Sequence, residues 1–225
     1  MMSRQLRFDL PVRRVLGRED FFVSPANAEA VALIEAWQDW PDRKLILTGP
    51  PGAGKTHLAH VWAALCGARI VAAGDLDSAD IAGLASRSVA VEDVERIAGD
   101  PAAEEALFHL HNLSLAEGNS VLLTGCRTPS LWPLRLPDLA SRMQGTLLAH
   151  LHEPDDALLA AVLTKLFADR QIAPTPDTIP YLARRMERSF DAARRIVAAL
   201  DDEALAAGRS VTRALAAEVL DKRRN

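Results

Sequence analysis

Cysteine is scarce in this chain of 225 residues: Cys66 and Cys126 are the two it has. They show no metal-ligand spacing and cannot build a disulfide framework, which fits the reducing environment of a cytoplasm. Long apolar runs are missing too. The longest, such as residues 121–124, are strand-sized, far short of the roughly 18 residues that cross a membrane. No apolar signal core follows Met1-Met2-Ser3-Arg4-Gln5, so secretion is not expected, nor is a membrane partner. Excess positive charge is absent: the net charge is −4 and the pI about 5.9. That argues against a dedicated duplex-DNA binder and leaves any DNA contact local or indirect. Internal repeats and low-complexity tracts are lacking. What is present is a globular composition, 49% hydrophobic and 25% charged, with a length that fits one to two domains.

Residues 1–18 read as a tail in which Arg4, Arg7, Arg13, Arg14 and Arg18 face the single acid Asp9, with a break at Pro11. Residues 27–40 carry apolar side chains at helical spacing and stop at Pro41. Strand and helix patterns then alternate. Residues 44–48, 68–73, 89–91, 120–124 and 146–151 read as strands. Residues 57–66, 101–117 and 138–144 read as helices between them. Such alternation predicts a five-stranded parallel sheet covered on both faces, an α/β fold. After Pro154 the pattern is helical throughout, over 155–170, 176–186, 189–208 and 212–222, with Asp155 and Thr212 where caps belong. The expected organisation is a tail (1–18), an α/β nucleotide-binding domain (19–153) and a small all-helical lid domain (154–225).

The sharpest motif is Gly49-Pro50-Pro51-Gly52-Ala53-Gly54-Lys55-Thr56, which fits GxxxxGK[ST] at every fixed position. Small residues let backbone N–H groups converge on phosphates, and the helix that follows adds the positive end of its dipole. Lys55 would supply a point charge to the β- and γ-phosphates and Thr56 a hydroxyl to Mg²⁺. The motif lies between a strand and a helix, as this mechanism requires. A P-loop also needs an acid at the end of a neighbouring strand. Glu92-Asp93 after residues 89–91 provides it, one acid for the Mg²⁺ shell and one to orient water. Glu92 stands where Asp is usual, which predicts weaker metal binding and slow hydrolysis. His57 and His60 lie one turn apart with no evident third ligand, so packing is a better reading of them than zinc.

Several stretches together resemble the AAA+ ATPases, and within them the DnaA group. Phe21-Phe22-Val23 with Asn27 is similar to that group's adenine-holding segment. The P-loop and the following helix, VEDVERIAGD and LLTGCRTP are similar to its Walker A, Walker B and sensor I regions. Leu139-Ala140-Ser141-Arg142 is similar to its arginine-finger helix. The resemblance implies a P-loop AAA+ domain with a helical lid, and ADP or ATP with Mg²⁺ as cofactors. Phe22, Val23, Asn27, Pro51, Gly52, Ala53, Gly54, Lys55, Thr56, His57 and Arg194 would contact nucleotide. Thr56 and Glu92 would hold the metal, Asp93, Glu92 and Thr124 would serve hydrolysis, and Arg142 would act in trans on a neighbouring subunit. A finger of that kind is worth roughly 10³–10⁵ in rate.

Two features narrow the resemblance to the Hda subfamily, which switches the DnaA initiator off. Only three residues follow Lys222, too few for the DNA-reading helix-turn-helix domain of DnaA. Gln5-Leu6-Arg7-Phe8-Asp9-Leu10-Pro11 is similar to a sliding-clamp-binding peptide, with Gln5 as polar anchor and Leu6, Phe8 and Leu10 as apolar contacts. The implied partners are the DnaA initiator and the sliding clamp (the β subunit of DNA polymerase III). DNA would be met only through the clamp, at the nucleoid or replisome. Head-to-tail homo-oligomers would follow AAA+ geometry. Two departures from the group's pattern stand out. Cys126 replaces an Asp after the sensor I strand, and Asp191 occupies the sensor II position of the usual Arg, so Arg194 or Arg195 would have to substitute. Those departures favour a resident diphosphate over vigorous turnover, and they keep open a tethering module without catalytic effect. A stand-alone ATPase of the helicase-loader kind is the other alternative.

Overall fold

A computed structural model describes residues 22–222. Five strands form one parallel sheet: β1 (Lys44–Thr48), β2 (Arg69–Ala72), β3 (Val89–Glu92), β4 (Val121–Gly125) and β5 (Leu147–His150), in the order β2-β3-β4-β1-β5. All pairings are parallel, with Leu45 opposite Leu122 on one side and Leu147 on the other. The central strands β1 and β4 are buried over their whole length, which is why each carries an unbroken apolar run, Leu45–Leu47 and Val121–Leu123, instead of an alternation.

Each face of the sheet is roofed by helices. On one face Leu45, Leu47, Ala90 and Leu122 pack against α1 (Ala28–Glu35) and α2 (Lys55–Cys66). On the other, Ile46, Val89, Val91, Val121 and Leu123 pack against α3 (Ile81–Ala85), α4 (Pro101–Ala116) and α5 (Pro137–Gln144). Each Leu so enclosed contributes roughly 1.5–3 kcal/mol of burial. Beyond the sheet, α6 (Asp156–Asp169), α7 (Thr178–Arg185), α8 (Phe190–Ala207) and α9 (Arg213–Lys222) enclose a second core that includes Leu163, Phe167, Leu182, Val197, Leu200 and Leu215.

Caps set the ends of these helices. Asp100 accepts from the Ala102 and Ala103 N–H groups ahead of α4, with Pro101 at its first position. Asp155 accepts from Leu158 N at 2.8 Å ahead of α6. Ser189 accepts from Ala192 N at 3.1 Å ahead of α8, which ends on the left-handed Gly208.

Three elements differ from the sequence reading. The helix expected over 27–40 is α over 28–35 only. A 3₁₀ turn at Trp37–Asp39 follows, because Trp40 turns inward to stack on Trp62 at 5.3 Å and to donate its Nε1–H to the Leu33 carbonyl. α2 starts two residues before position 57, at Lys55, so Lys55 and Thr56 lie in its first turn. The short helix α3 has no apolar period long enough to read, and it forms on the Asp80 cap, which accepts from Gly83 N at 3.0 Å.

His111 on α4 is fully buried and its Nε2 has no partner. Burial holds its pKa below the usual 6.5, and nearby Lys44 and Arg142 push the same way, against the Asn112 hydrogen bond and Asp42. A folded value below the unfolded one means that the stability tied to neutral His111 is complete above about pH 6.5 and is lost as pH falls through the lowered value. Denaturant unfolding at about pH 7.5 and about pH 5 should therefore show a fall in stability that His111→Gln reduces.

Candidate functional site: a phosphate loop under a helical lid

The loop between β1 and α2 lies at the end of the sheet where the strands finish. Gly54 caps α2 in the left-handed region (φ 101°), and the open N–H groups of the first helical turn face the loop. Lys55 is 7% exposed. Its Nζ donates to the Gly49 and Pro50 carbonyls at 2.7 and 3.0 Å and lies 3.7 Å from Cys126 Sγ. The strand pleat aims the neighbouring groups. In β3, Val89 and Val91 face α4 and Ala90 faces α2, so Glu92, next in that alternation, faces the α2 side. Glu92 Oε1 is buried there without a partner. In β4, Leu122 faces α2, and Thr124 follows it to the same side. Burial, chiefly, raises the Cys126 thiol pKa, Lys55 lowers it, and Glu95 and Asp93 raise it. The sulfur beside Lys55 is therefore a neutral thiol at neutral pH.

Asp93 takes a different course. Its backbone is left-handed (φ 58°), which turns the carboxylate out of the strand pleat to pair with Arg96 at 3.2 Å. Its N–H donates to Thr124 Oγ1 at 3.0 Å. Of the two acids, Glu92 keeps to the α2 side of the sheet and Asp93 ties the β3 and β4 ends together. A second tie runs from the Arg127 N–H to Glu95 Oε2 at 3.2 Å.

The helical part closes directly on this loop. Phe190 N donates to the Gly52 carbonyl at 2.9 Å. A Cβ on Gly52 would sit 2.5 Å from Ser189 Cβ, and one on Gly54 2.8 Å from the Phe190 ring. Both glycines are needed twice, for positive φ and for this approach. Ser189 and Phe190 carry no motif; their part in the site comes from tertiary docking, for which the sequence holds no local signal. Asp191 pairs with Arg194 one turn on, so the acid at this helix start is matched within α8. Arg188 reaches Asp156 at 2.7 Å.

The segment before α1 is held by Asn27, which is buried. Its Oδ1 accepts from Ser24 N at 2.8 Å and its Nδ2 donates to the Phe22 carbonyl at 2.9 Å. The Asn27 amide thus shapes this turn, and the exposed Phe22 and Val23 are the side chains it presents. His152 N donates to the Ala26 carbonyl at 3.1 Å, which ties the turn to the end of β5 beside the loop. Pro51, Thr56 and half-buried His57 lie at the loop and first turn of α2, and Ala53 is buried beneath them.

Arg142 sits at the opposite end of the sheet. α5 leads into β5, and the Arg142 carbonyl accepts from Thr146 Oγ1 at 2.7 Å, one residue before the strand that begins beside Leu45. From Leu45 to Gly49 the strand covers about 13 Å. The Arg142 guanidinium is exposed and lies 5.2 Å from the centroid of the Phe108 ring. Gln5, Leu6, Phe8 and Leu10, together with Phe21, lie outside the described residues.

No family model matches the chain. It is 28% identical over 228 residues to the chromosomal replication initiator protein DnaA of Thermomicrobium roseum, covering 90% of this chain and 48% of that protein. Against DnaA of Caulobacter vibrioides the figures are 28%, 89% and 46%. The chain thus spans about half the length of these curated relatives. Among solved structures, domain III of Thermotoga maritima DnaA superposes with a TM-score of 0.78 at 19% identity, over 95% of this chain and 98% of that one. A replication initiator DnaA bound to AMPPCP and single-stranded DNA gives 0.68 at 19%, over 81% and 63%. Thermotoga maritima RuvB gives 0.69 at 18%, over 89% and 70%. The shared fold is the AAA+ α/β fold.

Gly52→Ala should strain a left-handed position and push Ser189 off the loop, destabilising the protein by at least about 1 kcal/mol. The expected signature is a lowered unfolding midpoint together with faster proteolysis around residues 186–189.

Proposed function

We infer that this chain, an AAA+ protein related to DnaA, is a nucleotide-binding regulator of replication initiation that acts on the initiator of its own family. Residues 19–153 would hold the nucleotide and residues 154–225 would close over it. ADP or ATP would lie on the N–H groups of residues 52–56, with Lys55 on the phosphates and the Phe22–Val23 turn at the base. Buried, unpartnered Glu92 Oε1 and the Thr56 hydroxyl are hard oxygen donors that suit Mg²⁺, which would neutralise phosphate charge. Arg194 is matched to Asp191, so this helix start offers phosphate less net positive charge than an unopposed sensor arginine. That fits a protein that retains its nucleotide more than one that turns it over.

The observation that carries the regulatory reading is the place of Arg142. It stands about one strand length from this chain's own phosphate loop, exposed and over the Phe108 ring. A cation there is remote from this chain's own phosphate loop and open to another subunit, which supports action in trans. With Gln5, Leu6, Phe8 and Leu10 on the sliding clamp, Arg142 would complete the ATP site of DnaA and convert DnaA–ATP into DnaA–ADP. The setting would be the bacterial cytoplasm, on clamp-loaded DNA, with DNA itself met through the clamp. A second reading, a tethering module without catalytic effect, draws support from Cys126 and the internal Asp191–Arg194 pair. Asp93 turned onto Arg96 counts against the third, a self-sufficient ATPase.

Two measurements test this. Calorimetry with ADP should show tight binding that Lys55→Ala weakens by roughly ten- to a hundredfold, the value of a charge-assisted contact. DnaA carrying labelled ATP, mixed with clamp loaded on nicked DNA, should form ADP faster when this protein is added. Arg142→Ala should abolish that stimulation and Gln5→Ala should shift it to higher protein concentration. Unchanged stimulation by Arg142→Ala would refute the trans finger, and nucleotide binding with no stimulation at all would select the tethering module.

A further inference from the structure

α4 presents two side chains to α5 that the reading above leaves without a task. Glu104 is completely buried, yet among the described residues no cation pairs with it. Its carboxylate is saturated by backbone donors instead. Oε2 accepts from Arg135 N at 2.9 Å and Leu136 N at 2.7 Å. Oε1 accepts from Gly99 N at 2.7 Å and Arg135 N at 3.1 Å. Leu136 is the cap residue of α5, which lacks any side-chain cap of its own, so Glu104 supplies the negative group that the start of this helix favours. One turn further along α4, on the same face, the Phe108 ring lies 5.2 Å from the Arg142 guanidinium. Leu139 and Met143, buried between these two contacts, seat α5 on the sheet.

From this juxtaposition we propose that Glu104 and Phe108 are the positioning residues of Arg142: Glu104 fixes the start of α5, and Phe108 holds the guanidinium in the orientation from which it is delivered to another subunit. The inference rests on the trans reading of Arg142. The physical case is preorganisation. A guanidinium on a flexible stem loses rotamer freedom when it engages a phosphate, and a surface that already restricts it lowers that loss. A cation held over a ring face keeps its N–H groups open to a phosphate, unlike one held by a carboxylate. The buried carboxylate serves because a Gln side chain has a single acceptor oxygen and would turn an NH₂ group toward backbone donors.

The test uses the full-length protein in the clamp-dependent DnaA–ATP assay, titrated to saturation. Phe108→Leu, which keeps an apolar side chain against the core, should lower the saturating rate roughly two- to fivefold, the value of an exposed cation–π contact. The half-saturating concentration and ADP affinity should stay unchanged, and Phe108→Tyr should restore the rate. Glu104→Gln should lower the saturating rate further. A readout independent of any partner is the Arg142 Nε–H proton resonance, displaced by the ring current in the wild type and returned to the ordinary arginine position in Phe108→Leu. If Glu104→Gln fails to fold, Phe108→Leu decides alone. Full saturating rates in these variants while Arg142→Ala is inactive would overturn the positioning roles and leave the trans reading intact, as would a change confined to half-saturation. Full activity of Arg142→Ala would remove the trans reading and this inference with it.

Discussion

A parallel sheet has two unlike ends, and the layout of this molecule follows from that. Every strand finishes on the same side, so the loop after β1, the acid after β3 and the polar residue at the end of β4 arrive together. Every strand starts on the other side, where α5 hands over to β5 and Arg142 emerges. An antiparallel arrangement would scatter these groups over both ends. The order β2-β3-β4-β1-β5 places β1 between β4 and β5 and brings the β3 acid within one strand of the loop's neighbour. The separation of phosphate loop from exposed arginine is therefore a property of the topology and not of any side-chain detail.

Within the site, charges are arranged economically. Lys55 is almost fully buried and satisfied by carbonyl oxygens, neutral acceptors that hold the ammonium without cancelling its charge. Glu92 keeps one buried oxygen unpartnered, a state that costs free energy unless a cation or donor meets it. Asp93 and Asp191, which would add negative charge beside a phosphate, are each matched by an arginine on their own element. The lid's approach is made with a backbone N–H from Phe190 to the Gly52 carbonyl. This contact engages the outward acceptor of the loop and uses none of its N–H groups.

Much of this was legible in the sequence. The P-loop could be read because its chemistry is local: small residues, Lys55 and Thr56 in fixed order between a strand and a helix. The central strands are legible because burial on both faces leaves apolar runs such as Leu45–Leu47, inside a strand whose expected and observed limits, Lys44–Thr48, coincide. Other features depend on geometry that spacing does not encode. Which of Glu92 and Asp93 stays in the strand pleat on the α2 side turns on one left-handed residue. Asn27 reads as a ligand contact, yet its amide is spent on Ser24 and Phe22. Glu104 carries no signal in the sequence, because its partners at residues 135–136 lie some thirty positions on. Ser189 and Phe190 acquire their role only once two cores are docked. Local chemistry is readable; the partners that a fold brings from afar are not.

The remaining arginines show why composition misleads here. An acidic chain with abundant Arg suggests scattered surface charge, yet these residues divide by what holds them. Arg96, Arg188, Arg194 and Arg209 are each tied to a carboxylate. Arg185 and Arg213 flank the Tyr181 ring, at 5.4 and 5.1 Å. Arg142 is held by an aromatic face at the end of the molecule remote from its own phosphate loop, with no carboxylate pairing with it among the described residues. A carboxylate partner would have to be released before such a residue could meet a phosphate, at the cost of a charge-assisted bond. A ring face imposes a smaller cost and still limits the rotamers. If Arg142 acts on another subunit, its aromatic support is the arrangement that costs least to leave.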